Sequence, residues 1–543
     1  MRTWTCTVFA AAAAALSLSG AGQKFYSDDP IWRDPETQNV ASIKPVDISQ
    51  QYDFIENTFM NAGDRTDKRA VNINTVDQVP DSSWFTNRVG RAAWSIDDYV
   101  RGANAGSGPA GGEWTVVAAK GEGITPGLTI RDSAGDLYFI KFDPPTNPEM
   151  ASGAEVISTK FFYAFGYHTP ENYLANVRRD ALKIAPGTRL ADRDGRPHLM
   201  KDKDLDQLLE RAALHPDGTY RVIASKALPG KPVGHFRYYG TRPDDPNDIY
   251  LHEHRRELRG LAVFAAWLNH DDSRSINSLD VLVQDAGRSF IRHYLLDFGS
   301  TLGSGSTQAQ TTRAGNEYIW EARPTLISML TLGFYVRPWV KIPYPDIPAV
   351  GRIEATYFRP ENWKPEYPNP AFRNARPEDR FWAARIVSHI PAEAVRAIVE
   401  SAAFTDRRAT EYLVETILAR KAKVMSLWLN ATNPVVDFSV DPEGRMRFRN
   451  AAEIVGMAKA AERYTVQWSR FDNATSTHTA VGAEQTVTTT EAQVPRALMS
   501  DAYIAATLRA FHPDQPNWQH PVIVYFRRAP DATWTLVGLE RNP

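Results

Sequence analysis

His293–Gly303 reads HYLLDFGSTLG: an apolar run stops at Asp297-Phe298-Gly299 and passes into small residues. Alone it is a strand reaching a turn. Its surroundings give it a place. Upstream, SLDVLVQ and SFIRHYLLDF flank Asp285-Ala286-Gly287, so the pattern predicts a hairpin whose second strand ends at Asp297. Just before that hairpin lies NHDDSRSIN, in which Asp272 and Asn277 are five residues apart. Before that again, ELRGLAVFAAWLNH (257–270) puts Leu258, Leu261, Ala262, Ala265 and Leu268 on one helical face.

Further upstream, WTVVAA and GLTIRDSAGDLYFIKF predict strands around a turn at Ser133–Asp136, with Lys141 near the end of the last. PEMASGAEVISTKFFYAFG predicts a helix opened by Pro148, closed by Gly166 and carrying Glu155. KGEGITPG supplies Gly121, Gly123 and Gly127, whose backbone amides are candidates to cradle an anion. TYRVIASKAL (219–228) predicts another strand, broken by Pro229-Gly230.

Phosphoryl transfer from a nucleotide needs positioning and charge neutralisation more than covalent chemistry. A lysine holds phosphates and a carboxylate holds the lysine. A second carboxylate orients the acceptor hydroxyl, and an amide with a third carboxylate binds magnesium. Lys141, Glu155, Asp272, Asn277 and Asp297 supply these groups in that order, each on a fitting element. Asp271 competes with Asp272 for the acceptor role; the spacing to Asn277 favours Asp272.

Over about Trp114–Trp428 the chain resembles the protein-kinase-like superfamily. It is most similar to the atypical bacterial branches, the HipA-type and CotH-type kinases, and to the phosphatidylinositol and secretory-pathway kinases. YFIKF resembles the lysine strand, HDDSRSIN the catalytic loop and LLDFG the metal motif. The resemblance implies an α+β, two-lobed fold with a β-rich N-lobe (113–228) and a helical C-lobe (229–430). It also implies a hinge near Ala227–Gly230 contributing Ala227 and Leu228 to a nucleotide site, with ATP and Mg²⁺ as cofactors. The glycine spacing G-x-G-x3-G with Pro126, the pair His270-Asp271 before Asp272, and the missing Ala-Pro-Glu stop depart from ordinary protein kinases. The implied activity is an atypical phosphotransferase acting on an unidentified hydroxyl of a protein, lipid headgroup or sugar. The alternatives are a catalytically silent, kinase-like binding scaffold of the cell envelope, or adenylyl transfer in the same fold.

The 543 residues allow several domains and a large core, and a net charge of −2 favours neither nucleic acid nor an anionic surface globally. Arg2 followed by an apolar, alanine-rich run to Gly22 predicts a signal peptide over 1–22 and an exported, periplasmic or secreted protein with no transmembrane segment once mature. Cleavage would remove Cys6, the only cysteine, and with it disulfide, thiolate-metal and Cys-nucleophile chemistry.

Residues 23–112 are expected to form an N-terminal extension around the core. Residues 338–377, with nine prolines, are expected to be an irregular surface excursion. Helices are expected within 379–429, and a small all-β module, read as a sandwich, within 434–543. Trp468, Tyr525 and Trp534 read as core of that module, with a sugar- or protein-binding face the alternative. His252-Glu253-His254 lacks the i, i+4 helical zinc pattern and reads, with Arg255-Arg256, as a solvated segment before the helix. Gly299–Gly305 reads as a candidate mobile loop. No G-x-S-x-G elbow occurs.

Overall fold

The computed structural model describes residues 22–119, 126–191 and 197–542. Apart from Gly22, the expected signal peptide lies outside them, as do Gly121 and Gly123. The described chain is mixed α+β, with eleven α-helices and five sheets. No described helix is long and apolar enough to cross a membrane.

Two helices lie in the N-terminal extension, α1 (Gln50–Phe59) and α2 (Ile96–Arg101). A six-stranded sheet follows, built from β1 (Trp114–Ala119), β2 (Gly127–Arg131), β3 (Leu137–Phe142), β4 (Asn172–Arg178), β5 (Leu182–Ile184) and β8 (Thr219–Lys226). Its order is β4-β8-β3-β2-β1-β5, antiparallel except for β1 against β5. A short hairpin, β6 (Arg189–Ala191) and β7 (Pro197–Leu199), leads to α4 (Asp202–Leu209). Strand alternation puts Tyr138, Ile140 and Phe142 of β3 into a core shared with Leu205 and Leu209 of α4. Lys141 therefore points to the opposite face. There lies α3 (Met150–Phe165), buried at all but one of its positions between the sheet and the helical core.

Beyond the sheet, β9 (Lys231–Pro232) joins the hairpin β10 (Ser278–Asp285) and β11 (Arg288–Leu295), whose register runs from Ser278 opposite Leu295 to Asp285 opposite Arg288. Ala286 and Gly287 turn it with positive φ, the two-residue geometry that matches strand twist. The helices of this part are α5 (Arg256–Leu268), α6 (Ala322–Leu330), α7 (Pro370–Arg373), α8 (Pro377–Ser388), α9 (Ala392–Glu400) and α10 (Arg407–Trp428), with α6 alone contributing no buried residue.

The C-terminal part has one sheet of β12 (Val435–Val440), β13 (Arg445–Asn450) and β17 (Glu491–Gln493), with α11 (Ala451–Ile454) beside it. A second sheet holds β14 (Arg463–Asp472), β15 (Thr477–Ala480), β16 (Gln485–Val487), β18 (Tyr503–Phe511), β19 (Val522–Arg528) and β20 (Trp534–Arg541). These strands share the main core and also hold a smaller cluster of Phe471, Ala505, Tyr525 and Val537 with Phe25. One hydrophobic cluster runs from Val79 and Trp84 through α3, α5, α8, α9 and α10 to Trp468, Val524 and Leu539. Trp468 and Tyr525 are buried and Trp534 packs partly against the cluster.

Two expectations are overturned. His252-Glu253-His254-Arg255-Arg256 is not solvated: all five residues are at most 3% exposed. Buried charge requires partners, and the polar N-terminal extension provides several. Arg256 donates from Nη1 to Asp77 Oδ1 at 2.7 Å and from Nε to Asp379 Oδ1 of α8 at 3.0 Å. Arg259 reaches Asp379 Oδ2 at 3.2 Å, His252 Nε2 lies 2.6 Å from Asp248 Oδ2, and Glu253 accepts from the Asp64 N–H at 2.6 Å. Nor is the Pro-rich segment wholly on the surface: Ile353, Tyr367, Ala371 and Phe372 are buried. Its prolines break regular structure without preventing packing, since proline removes a donor and leaves the apolar ring.

Asp379 bridges two buried guanidiniums. Asp379→Ala should therefore destabilise the fold by about 3–5 kcal/mol, read as a lowered denaturant midpoint; a change within experimental error would show that the other partners suffice. Lys160 of α3 is also buried, donates to Ser401 Oγ at 2.5 Å, and is pushed down by burial from 10.5 to about 8. A depressed lysine penalises folding fully below its folded value, and the penalty fades as pH rises from about 8 to 10.5. Lys160→Met should thus stabilise the protein at pH 7 by about 1–3 kcal/mol, with the advantage shrinking toward pH 10.5. A pH-independent difference in unfolding free energy would contradict this.

Candidate functional site

Lys141, on the face of β3 turned toward α3, meets two carboxylates. Its Nζ donates to Asp297 Oδ1 at 2.7 Å and lies 3.7 Å from Glu155 Oε2. Burial pulls its pKa down, but Asp297 and Glu155 more than offset this, so it stays cationic well above the ordinary lysine value. Glu155 comes from the middle of α3 and is 2% exposed. Its Oε1 accepts from the Phe298 N–H at 3.0 Å and from Asn172 Nδ2 at 3.1 Å. Burial, augmented by the Asp297 charge, raises Glu155, while Lys141 and the N–H groups of Phe298 and Gly299 hold it down. One carboxylate therefore holds both the lysine and the backbone of the Asp-Phe-Gly turn.

Asp297 sits just past β11 in the left-handed region, φ 57° and ψ 60°. This is a costly conformation for a residue with a Cβ, kept where surrounding contacts impose it. Those contacts are visible. The Leu296 N–H donates to the Asn277 carbonyl at 2.9 Å, and the next side chain, Phe298, is fully buried. Phe298 stacks on Phe162 of α3 with centroids 4.8 Å apart, and His270 packs against both rings at 5.5 and 5.7 Å. Three rings thus join α3, the loop after α5 and the end of β11. Burial pushes His270 down to about 4, so it is neutral there.

The loop 270–277 begins where α5 ends at Asn269, itself left-handed and held by Trp363 Nε1 at 2.9 Å. Asp272 faces the Arg274 guanidinium, whose other side meets Glu366. Burial pushes Asp272 up to about 7; Arg274 opposes this, and Glu366 and Asp297 add to it. Asp271 is raised further, by burial first and then by Asp272 and Glu366; its Oδ1 accepts from Gln310 Nε2 at 3.4 Å. Asn277 donates from Nδ2 to the Asp272 carbonyl at 2.8 Å, so a cation could use only its amide oxygen.

Among the described residues no group of three or more His, Cys, Asp or Glu side chains is arranged around a metal position. The oxygen set the sequence assigns to a cation is Asp297 with Asn277. That is poor for a self-contained metal cage but fits Mg²⁺, which takes one or two protein oxygens and completes its shell with phosphate and water.

Gly127 opens β2 directly opposite Lys141. Ala227 donates its N–H to the Leu137 carbonyl at 2.9 Å, and Leu228 packs against Val281, Val283, Phe290 and Tyr294 of the hairpin. A narrow crevice beside Lys141 is lined by Glu155, Asp297, Gly299, Ser306 and Ile223. The loop after Asp297 is not a free segment. Thr301, Leu302 and Ser304 are buried, and Leu302 donates to the Leu268 carbonyl at 2.8 Å. Gly303 lies so close to Arg352 that a Cβ would stand 2.2 Å from its backbone carbon.

Several positioning residues escaped the sequence reading: Asn172 on Glu155, Arg274 and Glu366 around Asp272, and Asp143. Asp143 follows β3 directly and accepts from the Ser152 N–H at 2.8 Å and its Oγ at 2.5 Å, pinning the start of α3. Only Arg274, inside the quoted loop, carried a local signal. Compared with family models, curated proteins and solved structures, the chain has no match.

Glu155→Ala would leave Lys141 with a single anion and strip Asn172 and the Phe298 N–H of an acceptor. It should cost about 3 kcal/mol in chemical denaturation, whereas Asp297→Asn, at the more exposed edge, should cost less than about 1 kcal/mol. Equal losses would mean that Glu155 has no special hold on the turn.

Proposed function

We propose that the chain is an exported, atypical kinase-like phosphotransferase that moves a phosphoryl group from ATP to a hydroxyl acceptor. The observation that carries this reading is Lys141 held between Glu155 and Asp297, with Glu155 also holding the turn that carries Asp297. In this reading the sheet β1–β5 with β8 acts as the N-lobe, α5 and α7–α10 as the helical C-lobe, and the crevice beside Lys141 as the cleft of a two-lobed frame.

The roles follow from charge and position. Lys141 grips phosphate oxygens, a task needing a cation fixed in place, and its two anions keep it protonated. Glu155 orients Lys141. Asp297 and Asn277 offer the oxygens for Mg²⁺, which when bound would offset phosphate charge. Asp272 orients the acceptor hydroxyl and takes its proton as the new O–P bond forms; the leaving nucleoside diphosphate takes the electron pair of the bond that breaks. A carboxyl raised to about 7 is suited to exchange a proton near neutrality.

A second reading, a catalytically silent scaffold in the same fold, is favoured by one feature: Asp272 is already engaged by Arg274. Titration of ATP with Mg²⁺, followed by transfer to a panel of hydroxyl acceptors, separates the two. Asp297→Asn should weaken Mg²⁺-dependent nucleotide binding. Asp272→Asn should retain binding and lower transfer about 10²–10⁴-fold. No binding at millimolar nucleotide would sink the enzyme reading, and intact transfer by the Asp272 variant would move the proton-accepting role elsewhere.

A further inference from the structure

Helix α1 is built inside out. Its polar residues Asp53 and Asn57 are buried, while Tyr52, Ile55 and Phe59 are exposed along one face at i, i+3 and i+7. The inward side has a local reason: Asp53 accepts from Ser275 Oγ at 2.9 Å and from the Tyr367 hydroxyl at 2.5 Å. The outward side is left open to solvent, and it does not end with the helix. The Phe59 ring lies 4.9 Å from that of Trp320, where a second exposed apolar segment begins.

None of residues 321–348 is buried. On α6, Leu326, Met329 and Leu330 share a face at i, i+3 and i+4, and the chain beyond it carries Leu332 and Phe334, each 87% exposed. Apolar side chains this exposed and contiguous mark a docking surface. The charge pattern says of what kind. No charged residue occurs from Pro324 to Val336, and between Glu321 and Asp346 the only charges are Arg323, Arg337 and Lys341, all cationic. Arg337 is tied to Glu317 at 2.8 Å, whereas Arg323 and Lys341 are exposed. Along the chain Tyr335 follows the apolar tip directly and Trp339 lies between Arg337 and Lys341, its Nε1 donating to Glu317 at 3.0 Å. An apolar tip followed by amphipathic aromatics among cations matches the layers of a bilayer surface: hydrocarbon, interface, anionic headgroups.

We propose that this surface, formed by the outer face of α1, Trp320 and residues 326–340, seats the protein on an anionic lipid bilayer. Leu332 and Phe334 enter deepest, and Arg323 and Lys341 lie at headgroup level. The protein rests on the membrane without crossing it. This inference does not depend on phosphotransfer at the crevice.

The test uses the full chain with Cys6→Ser and Phe334→Cys, labelled at residue 334 with an environment-sensitive nitrobenzoxadiazole dye. Residue 334 is exposed, so the label leaves the fold intact, checked by an unchanged melting temperature. Phosphatidylcholine vesicles containing phosphatidylglycerol should shift the emission to the blue and raise it severalfold, with a weaker response when phosphatidylglycerol is left out. The same dye at Thr477→Cys, on the exposed strand β15, should not respond. Adding Leu332→Glu should raise the lipid concentration needed for half the response about tenfold or more. Because the dye reads insertion at residue 334 itself, binding through the N-terminal apolar residues alone would leave it silent. A silent dye on anionic vesicles overturns the proposal. So does a self-associating chain whose dimer Leu332→Glu breaks while the vesicle response stays unchanged; that result would assign the surface to a second copy.

Discussion

Everything near the crevice hangs on one electrostatic requirement: α5 begins with charged side chains that have no access to water. Arg256 is fully buried, and an uncompensated guanidinium there would cost several kcal/mol. Asp77 from the extension and Asp379 from α8 meet it, and Arg541 at the end of β20 lies 3.7 Å from the same Asp77. Three distant parts of the chain thus converge on the first turn of α5. The last turn of that helix sets Asn269, and with it the loop carrying Asp271, Asp272 and Asn277. The position of the loop is fixed from the far end of the helix.

The crevice uses the same economy on a smaller scale. Glu155 has one oxygen near Lys141 and the other on the backbone of Phe298, so α3, β3 and the turn after β11 form one unit. The ring contacts of Phe298 with Phe162 and His270 add shape to this electrostatic tie. Any shift of α3 would disturb the lysine, the turn and the loop after α5 together.

Much of this was legible in the residues. Period-two alternation located β3 and β11, glycine and proline punctuation bounded α3, and the spacing of Asp272, Asn277 and Asp297 around a hairpin anticipated their proximity. What failed to show was whatever depends on partners far away in sequence. The HEHRR run looked solvated because Asp248 and Glu257, its neighbours in sequence, cannot neutralise all of it; the other anions lie at Asp64, Asp77 and Asp379. Gly299–Gly305 looked mobile because small residues suit flexible loops, yet at Gly303 the small side chain serves the close approach of Arg352. Asp53 of α1, in the extension, is likewise bonded by partners far away in sequence, Ser275 and Tyr367.

The shared core of helices and C-terminal strands bears on how the molecule is made. The Phe25 ring lies 5.1 Å from that of Tyr525, and Lys24 Nζ donates to Glu540 at 2.7 Å, so the two ends of the chain complete each other. Synthesis delivers the first of these residues some five hundred positions before the last. Until β19 and β20 emerge, the apolar side of β18 and much of the surface around α8 and α9 stay uncovered. Contacts of such sequence separation close slowly, and a long chain waiting on them exposes the surfaces that aggregate. A fragment ending at α10 would lack the strands that share its core.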